Sequence, residues 1–268
     1  MSGEGSHESS TSFPETPDIE TASDAYAGRF AGPVGTFFLE WQARTTLELI
    51  SRWPGATVLD VGGGHSQTAL PLVRRGFKVT VTGSSESCRS RLDRVLRPSE
   101  FEFVRCDLLS LPFRDRQFDV VVAFRLLPHV NRWQALIGEM CRVASRAVIL
   151  DYPDRRSFNL VQSAFFAWKK AIEKNTRTFQ CFTRRQLFDE FARRGFDRST
   201  VKPEFFFPMV LHRAMGAVRI SRLMESAANA LGITRMLGSP VILRAESTRP
   251  ESETGSEGSH PSAERVVK

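Results

Sequence analysis

A chain of 268 residues with 41% hydrophobic and 25% charged residues has globular composition near the upper size for one domain, which excludes a wholly disordered chain. No apolar run approaches the ~20 residues of a bilayer span, and the first 25 residues carry no Lys, no Arg and no apolar core. Neither an integral membrane helix nor a secretory or transit leader is therefore expected. Cys88, Cys106, Cys141 and Cys181 lie 18, 35 and 40 residues apart with no CxxC or Cys/His cluster, so neither a zinc module nor a disulfide framework is expected. A reducing, cytoplasmic location fits this usage.

The net charge of +7 hides an asymmetry. Residues 1–25 carry −6 and residues 246–268 carry −2, which leaves +15 on the body between them. Both ends are rich in Ser, Glu, Gly and Pro, so they read as disordered tails: an acidic one over 1–25 and a second over 246–268. A basic body suits acidic substrates, nucleic acid or anionic lipid headgroups, and equally reflects a surface that favours Arg.

In chain order, Thr36–Trp53 has the apolar spacing of an amphipathic helix and stops at Pro54-Gly55. Ala56–Val61 is a buried strand that closes on Asp60 and three glycines. A helix over Ser66–Arg75 follows, with Pro71 as a local defect. Phe77–Thr82 is a second strand, Glu86–Leu96 a helix, Phe101–Val104 a third strand and Phe118–Phe124 a fourth. Trp133–Val143 is a helix and Ala147–Leu150 a fifth strand. Strands separated by helices require crossovers and a parallel sheet covered on both faces, which is a doubly wound α/β domain. Beyond Pro153, Arg155–Lys174 and Thr183–Gly195 read as helices, the latter with a Thr cap and a Gly stop. Phe196–Phe207 then reads as a strand, Val210–Leu237 as a helical insertion and Pro240–Ala245 as the last strand.

A strand that runs into Asp60-Val61-Gly62-Gly63-Gly64-His65-Ser66 and then a helix is a nucleotide-type site by its physics. Glycines allow close backbone approach, and a helix start offers free N–H groups. The dinucleotide pattern GxGxxG fails because its third glycine position is Gln67. With an acid two residues before the first glycine, the run fits [DE]-x-G-x-G-x-G, with Ser66 in the third glycine's place.

With these residues the chain resembles the class I S-adenosylmethionine-dependent methyltransferases, and more closely the type 11 group that holds quinone and small-molecule C- and O-methyltransferases. VLDVGGGHSQ (58–67), RCDLLSLPFRDRQFDVVVAF (105–124) and LLPHV (126–130) carry the likeness. It implies a Rossmann-like, mostly parallel seven-stranded sheet with helical insertions in the C-terminal part. It divides the chain into a cofactor-binding half (26–152) and a substrate-side half (153–245), and it implies S-adenosylmethionine as cofactor. The resemblance gives Asp60 and the backbone of Gly62, Gly63 and Gly64 the methionine end of that cofactor. Asp107, with Cys106 and Leu108, would receive the adenine, while Phe124 and Arg125 would line the methionyl side. Tyr26 and Arg29 match residues that close over the cofactor in relatives. The ribose-gripping acid of the family falls at Ser85 here, with Glu86 one residue late.

His129, in LLPHV, is the candidate general base, against the plainer reading of a helix-start histidine that packs or caps. His65 and His212 receive no role. The aromatic residues Phe158, Phe165, Phe166, Trp168, Phe205, Phe206 and Phe207 read as core beneath the insertion, with an apolar substrate pocket or a membrane-facing patch beside Lys169 and Lys170 as the alternative. The leading expectation is methyl transfer to a small or lipid-like acceptor by O- or C-methylation, with peripheral membrane contact and no metal. Two other classes compete with it. One is an RNA or nucleic-acid methyltransferase or binder, which the basic body favours and the absence of any recognisable RNA-binding module disfavours. The other is a catalytically silent relative kept for interaction, suggested by Ser85.

Overall fold

The computed structural model describes residues 13–156 and 179–248. Seven strands form one sheet: β1 (Thr57–Val61), β2 (Lys78–Gly83), β3 (Phe101–Arg105), β4 (Phe118–Ala123), β5 (Ala144–Tyr152), β6 (Arg198–Pro203) and β7 (Val241–Glu246). Their order is β3-β2-β1-β4-β5-β7-β6, and β7 alone runs against its neighbours. The expected mostly parallel seven-stranded sheet is thus observed. Strand order reverses between β1 and β4, and the crevice beyond the carboxyl ends at such a switch point is where open α/β sheets bind ligands.

Alternation along the strands explains the two apolar layers. In β4, Val120 and Val122 face one side, while Val121 and Ala123 face the other. The first side is covered by α3 (Gly32–Ile50) and α4 (Ala69–Arg74), through Leu49, Ile50, Ala69 and Leu72. The second is covered by α6 (Trp133–Val143) and α7 (Arg184–Ala192), through Leu136, Ile137, Met140, Leu187 and Phe191. Helix α7 starts with the expected cap: Thr183 and Gln186 form a reciprocal capping box. The insertion between β6 and β7 is three helices, α8 (Met209–Met215), α9 (Val218–Ala230) and α10 (Ile233–Leu237). Phe205 packs there on Phe37 and Phe38 of α3, with ring centroids 4.0 Å apart for Phe38. Phe205 is therefore core, while Phe206 and Phe207 are half-buried.

Four expectations change. Helix α4 begins at Ala69 rather than Ser66, because Ser66 holds a left-handed backbone (φ 64°); Pro71 then falls in the first turn, where a missing N–H costs nothing. The stretch 86–96 is a 3-10 turn (Glu86–Arg89) followed by the one-turn α5 (Leu92–Val95). The C-terminal boundary moves past 246, since Glu246 ends β7 and pairs with Arg52 and Arg244. The largest change is at the other end. Composition reads residues 1–25 as a disordered tail, yet α1 (Pro17–Thr21) and α2 (Asp24–Ala27) are folded onto the sheet edge and Asp18 is fully buried. The helix read over Arg155–Lys174, with Phe158, Phe165, Phe166, Trp168, Lys169 and Lys170, lies outside the described residues apart from its first two positions.

Candidate active site at the carboxyl edge of the sheet

The turn after β1 is shaped by its glycines. Gly62 has φ 69°, a conformation that side-chain-bearing residues rarely adopt. A Cβ on Gly63 would run into the Asp60 carboxylate. Asp60 is completely buried, and neither of its carboxylate oxygens has a hydrogen-bond partner among the described residues. Burial alone pushes its pKa up to about 8. Left ionised and unpaired, such a buried group costs several kcal/mol as an order of magnitude, which is the physical reason its proton is held so firmly.

Beside it, Arg125 follows β4 with φ 58°, a strained conformation for a residue with a long side chain. Its backbone N–H donates to Asp151 Oδ1 at 2.6 Å, and its Nη2 donates to Gln42 Oε1 of α3 at 2.8 Å. Its guanidinium lies 4.1 Å from the Phe30 ring centroid, and Nη1 is buried without a hydrogen-bond partner among the described residues. Phe124, just before it, is fully buried in the core. His65 is also buried, and burial together with Arg125 pushes it down to about 3, so it stays neutral. Its Nδ1 accepts from the Gln67 N–H at 3.2 Å, which fixes the ring as part of the turn.

Beyond β3, Cys106 and Leu108 are buried, and burial pushes the Cys106 thiol up to about 12. Asp107 is half-buried and its Oδ1 accepts from Leu109 N–H at 2.9 Å, a turn that fixes the direction of the carboxylate. His129 ends a 3-10 turn after β4, half-buried, with its ring 5.6 Å from that of the exposed Phe179. The structure thus gathers Asp60, Gly62, Gly63, Gly64, Phe124, Arg125 and Asp107 at the ends of β1, β4 and β3, with His129 at the rim.

Ser85 is placed differently from the expectation. Its hydroxyl accepts from Ser87 N–H at 3.2 Å and caps the following 3-10 turn, and Glu86 is exposed. The residue of this turn that holds a buried carboxylate is Ser84, which sequence reasoning missed. Ser84 donates from its N–H (2.7 Å) and its hydroxyl (2.6 Å) to the Asp18 carboxylate, and the Cys88 thiol adds a third bond at 3.2 Å. No spacing rule connects residues 18 and 84.

Asp18 belongs to an N-terminal strap that crosses the crevice. Glu15 accepts from Asn131 N–H (2.6 Å) and Arg132 N–H (3.1 Å), at the start of α6. A Cβ on Gly62 would lie 3.4 Å from Asp18 Cβ, and one on Gly64 would lie 3.0 Å from Ala22 Cβ and 2.5 Å from the Cys88 carbonyl oxygen. Asp24 pairs with Arg91 and Arg94 beside α5, which holds its carboxyl below the usual range. Tyr26 is buried, with Arg29 stacked at 4.7 Å from its ring; Arg29 is itself largely exposed and reaches Glu20 rather than the crevice.

The sheet order and the glycine turn after β1 define the class I methyltransferase fold. Residues 59–150 match the family model described as a methyltransferase domain, which makes this stretch of the chain similar to that family. It is 29% identical over 128 residues to the ubiquinone/menaquinone biosynthesis C-methyltransferase UbiE of Cereibacter sphaeroides, covering 40% of this chain and 51% of that protein. It is 30% identical over 137 residues to the 2-phytyl-1,4-naphtoquinone methyltransferase of Nostoc sp., covering 45% of this chain and 60% of that protein. The matches therefore span about half the length of these curated relatives. Among solved structures, magnesium protoporphyrin IX methyltransferase from Synechocystis with bound SAH aligns over 86% of this chain and 98% of its own, with TM-score 0.57 and 16% identity. The [4+2]-cyclase SpnF aligns over 76% of this chain and 80% of its own, with TM-score 0.50 and 18% identity, so the fold by itself carries more than one chemistry.

Proposed function

We propose that the protein transfers a methyl group from S-adenosylmethionine to a small, apolar acceptor by O- or C-methylation. The observation that carries this reading is the orphaned carboxylate of Asp60 beneath a glycine turn at the switch point. A buried carboxylate with no hydrogen-bond partner among the described residues suits the ammonium of the methionine end. The residues present therefore fit this cofactor: Asp60 and the Gly62–Gly64 backbone at the methionine end, Asp107 and Leu108 at the adenine. When bound, the cofactor supplies an activated sulfonium methyl. The chain's own part is binding, orientation and exclusion of water in a site whose polar groups are already buried.

Quinone-type relatives support a small, lipid-like acceptor. The surface of α8–α10 supports peripheral contact with an anionic membrane: Val210, Ile220, Leu223, Leu231 and Met236 are exposed among the exposed Arg213, Arg219, Arg222 and Arg235. No helix among the described residues is long and apolar enough to cross a bilayer.

A second reading, a fold kept without catalysis, draws on the strap that covers the glycine turn and on the absence of an acid at the end of β2. Calorimetry with S-adenosylhomocysteine separates the two. Saturable one-to-one binding supports the methyltransferase reading, and no binding to either the parent or a strap-released variant refutes it.

A further inference from the structure

Buried groups that neither the glycine turn nor the strap uses meet at the ends of β4, β5 and β6. Glu204 directly follows β6, is 4% exposed, and its Oε1 has no hydrogen-bond partner among the described residues. Arg125 brings the unpartnered Nη1 from β4, and Asp151 stands between them at the end of β5, spending Oδ1 on the Arg125 N–H. The three interact electrostatically with one another. Apolar side chains adjoin them: Phe30 on the guanidinium, and Phe205, beside Glu204, packed on Phe37 and Phe38 of α3. A donor and an acceptor, both buried and both unpaired, are rare in a native interior and signal a polar group yet to arrive. These apolar neighbours set the character of the rest of that ligand.

Resting on the methyl-transfer reading above, we propose that Arg125 and Glu204 form the acceptor-recognition pair, which takes an apolar molecule bearing an acidic hydroxyl, a phenol or an enol. Arg125 Nη1 donates to the hydroxyl oxygen, and Glu204 Oε1 accepts the hydroxyl proton. As that proton leaves, the oxygen, or the ring carbon conjugated with it, forms a bond to the methyl carbon. The methyl–sulfur bond breaks with its electron pair on sulfur, leaving a neutral thioether, and the proton on Glu204 later returns to solvent. In C-methylation the ring carbon's own proton is lost to solvent as the hydroxyl is regained. Asp151 is a positioning residue: it holds the Arg125 backbone and shares its charge. Burial, with Asp151 close by, raises the Glu204 carboxyl well above the usual range while the Arg125 guanidinium lowers it, so the form that accepts the proton is the ionised one held beside Arg125. Among the described residues, Arg125 is the cation that faces it, and Tyr26 on α2 interacts with Arg125 from the strap.

The test uses the full chain with 4-nitrophenol, whose phenolate is yellow and whose phenol is not. Titrations run one pH unit below the probe's own pKa, with and without saturating S-adenosylhomocysteine, whose binding is followed by calorimetry in the same samples. The parent is expected to bind the probe as phenolate. Glu204→Gln, an isosteric change, is expected to keep binding within about threefold while losing at least five-sixths of the phenolate absorbance. Arg125→Lys is expected to weaken probe binding about tenfold. Should Glu204→Gln lower the melting temperature while leaving the bound probe's spectrum unchanged, the cluster only pins α3 to the sheet and the inference is wrong. A parent that binds S-adenosylhomocysteine but never ionises the probe also overturns it, and leaves the methyl-donor reading standing. A parent that ionises the probe through Glu204 without binding S-adenosylhomocysteine supports the pair and sinks the methyl-donor reading instead.

Discussion

Asp18 is the point at which a single atom set decides whether the crevice is covered. Its carboxylate takes three hydrogen bonds, two from Ser84 and one from Cys88, with no exposure to solvent. Hydrogen bonds to a charged group contribute ~1.5–3 kcal/mol each, but opening lets water replace them, so the net latch is about 3 kcal/mol. Asp18→Ala removes it and strands the Ser84 N–H and hydroxyl in the closed form. At ~1.4 kcal/mol per factor of ten, the strap's opening equilibrium should rise by roughly two orders of magnitude. Apparent cofactor affinity scales with the open fraction, so it should tighten by about ten- to a hundredfold, with a faster association rate. Calorimetry and stopped-flow mixing with S-adenosylhomocysteine measure both. Trypsin reports the same opening without any ligand, through faster cleavage at Arg29. If Asp18→Ala weakens binding, the carboxylate is part of the cofactor site rather than a lid. If neither affinity nor cleavage changes, the strap exerts no control.

Three further predictions follow from the same geometry. Burial pushes the Asp60 pKa up to about 8 in the folded chain against an ordinary 3.8, so the folded state holds an extra proton between those limits and stability falls as pH rises through that window. Asp60→Asn should flatten this decline, raise the melting temperature by several degrees at pH 8, and abolish cofactor binding; a lower melting temperature there would show that the carboxylate is compensated. Gly64→Val should unfold the turn locally and lose binding, since its Cβ would stand 2.5 Å from the Cys88 carbonyl oxygen; normal binding by a folded variant would place the ligand elsewhere. Ser85→Asp keeps a good cap on the 3-10 turn and points away from the crevice, so cofactor affinity should change less than about twofold. A tenfold gain would return Ser85 to the ribose position.

Much of the site was legible because it is local. The Asp60–Gly64 run encodes its own turn, and the unbroken apolar run Val120–Ala123 encodes a strand buried on both faces. Thr183 and Gln186 encode their own cap. Each depends on neighbours within a few residues, which sequence spacing reports directly. The sequence also determined the parallel sheet, since strands separated by helices leave few other arrangements. Tertiary structure alone decided the rest. Asp18 meets Ser84 across 66 residues, and its acidic, Ser-rich surroundings read as disorder because composition averages over the few apolar and buried groups that anchor the strap. Glu204 faces Arg125 only because β6 and β4 end at the same edge of the sheet, and Ser85 turned outward because its hydroxyl found a nearer partner in Ser87. Burial decides what a carboxylate does, and burial is set by chain segments distant in sequence; it leaves Asp60 unpaired, Asp18 latched and Glu204 waiting, although all three are written as the same kind of residue.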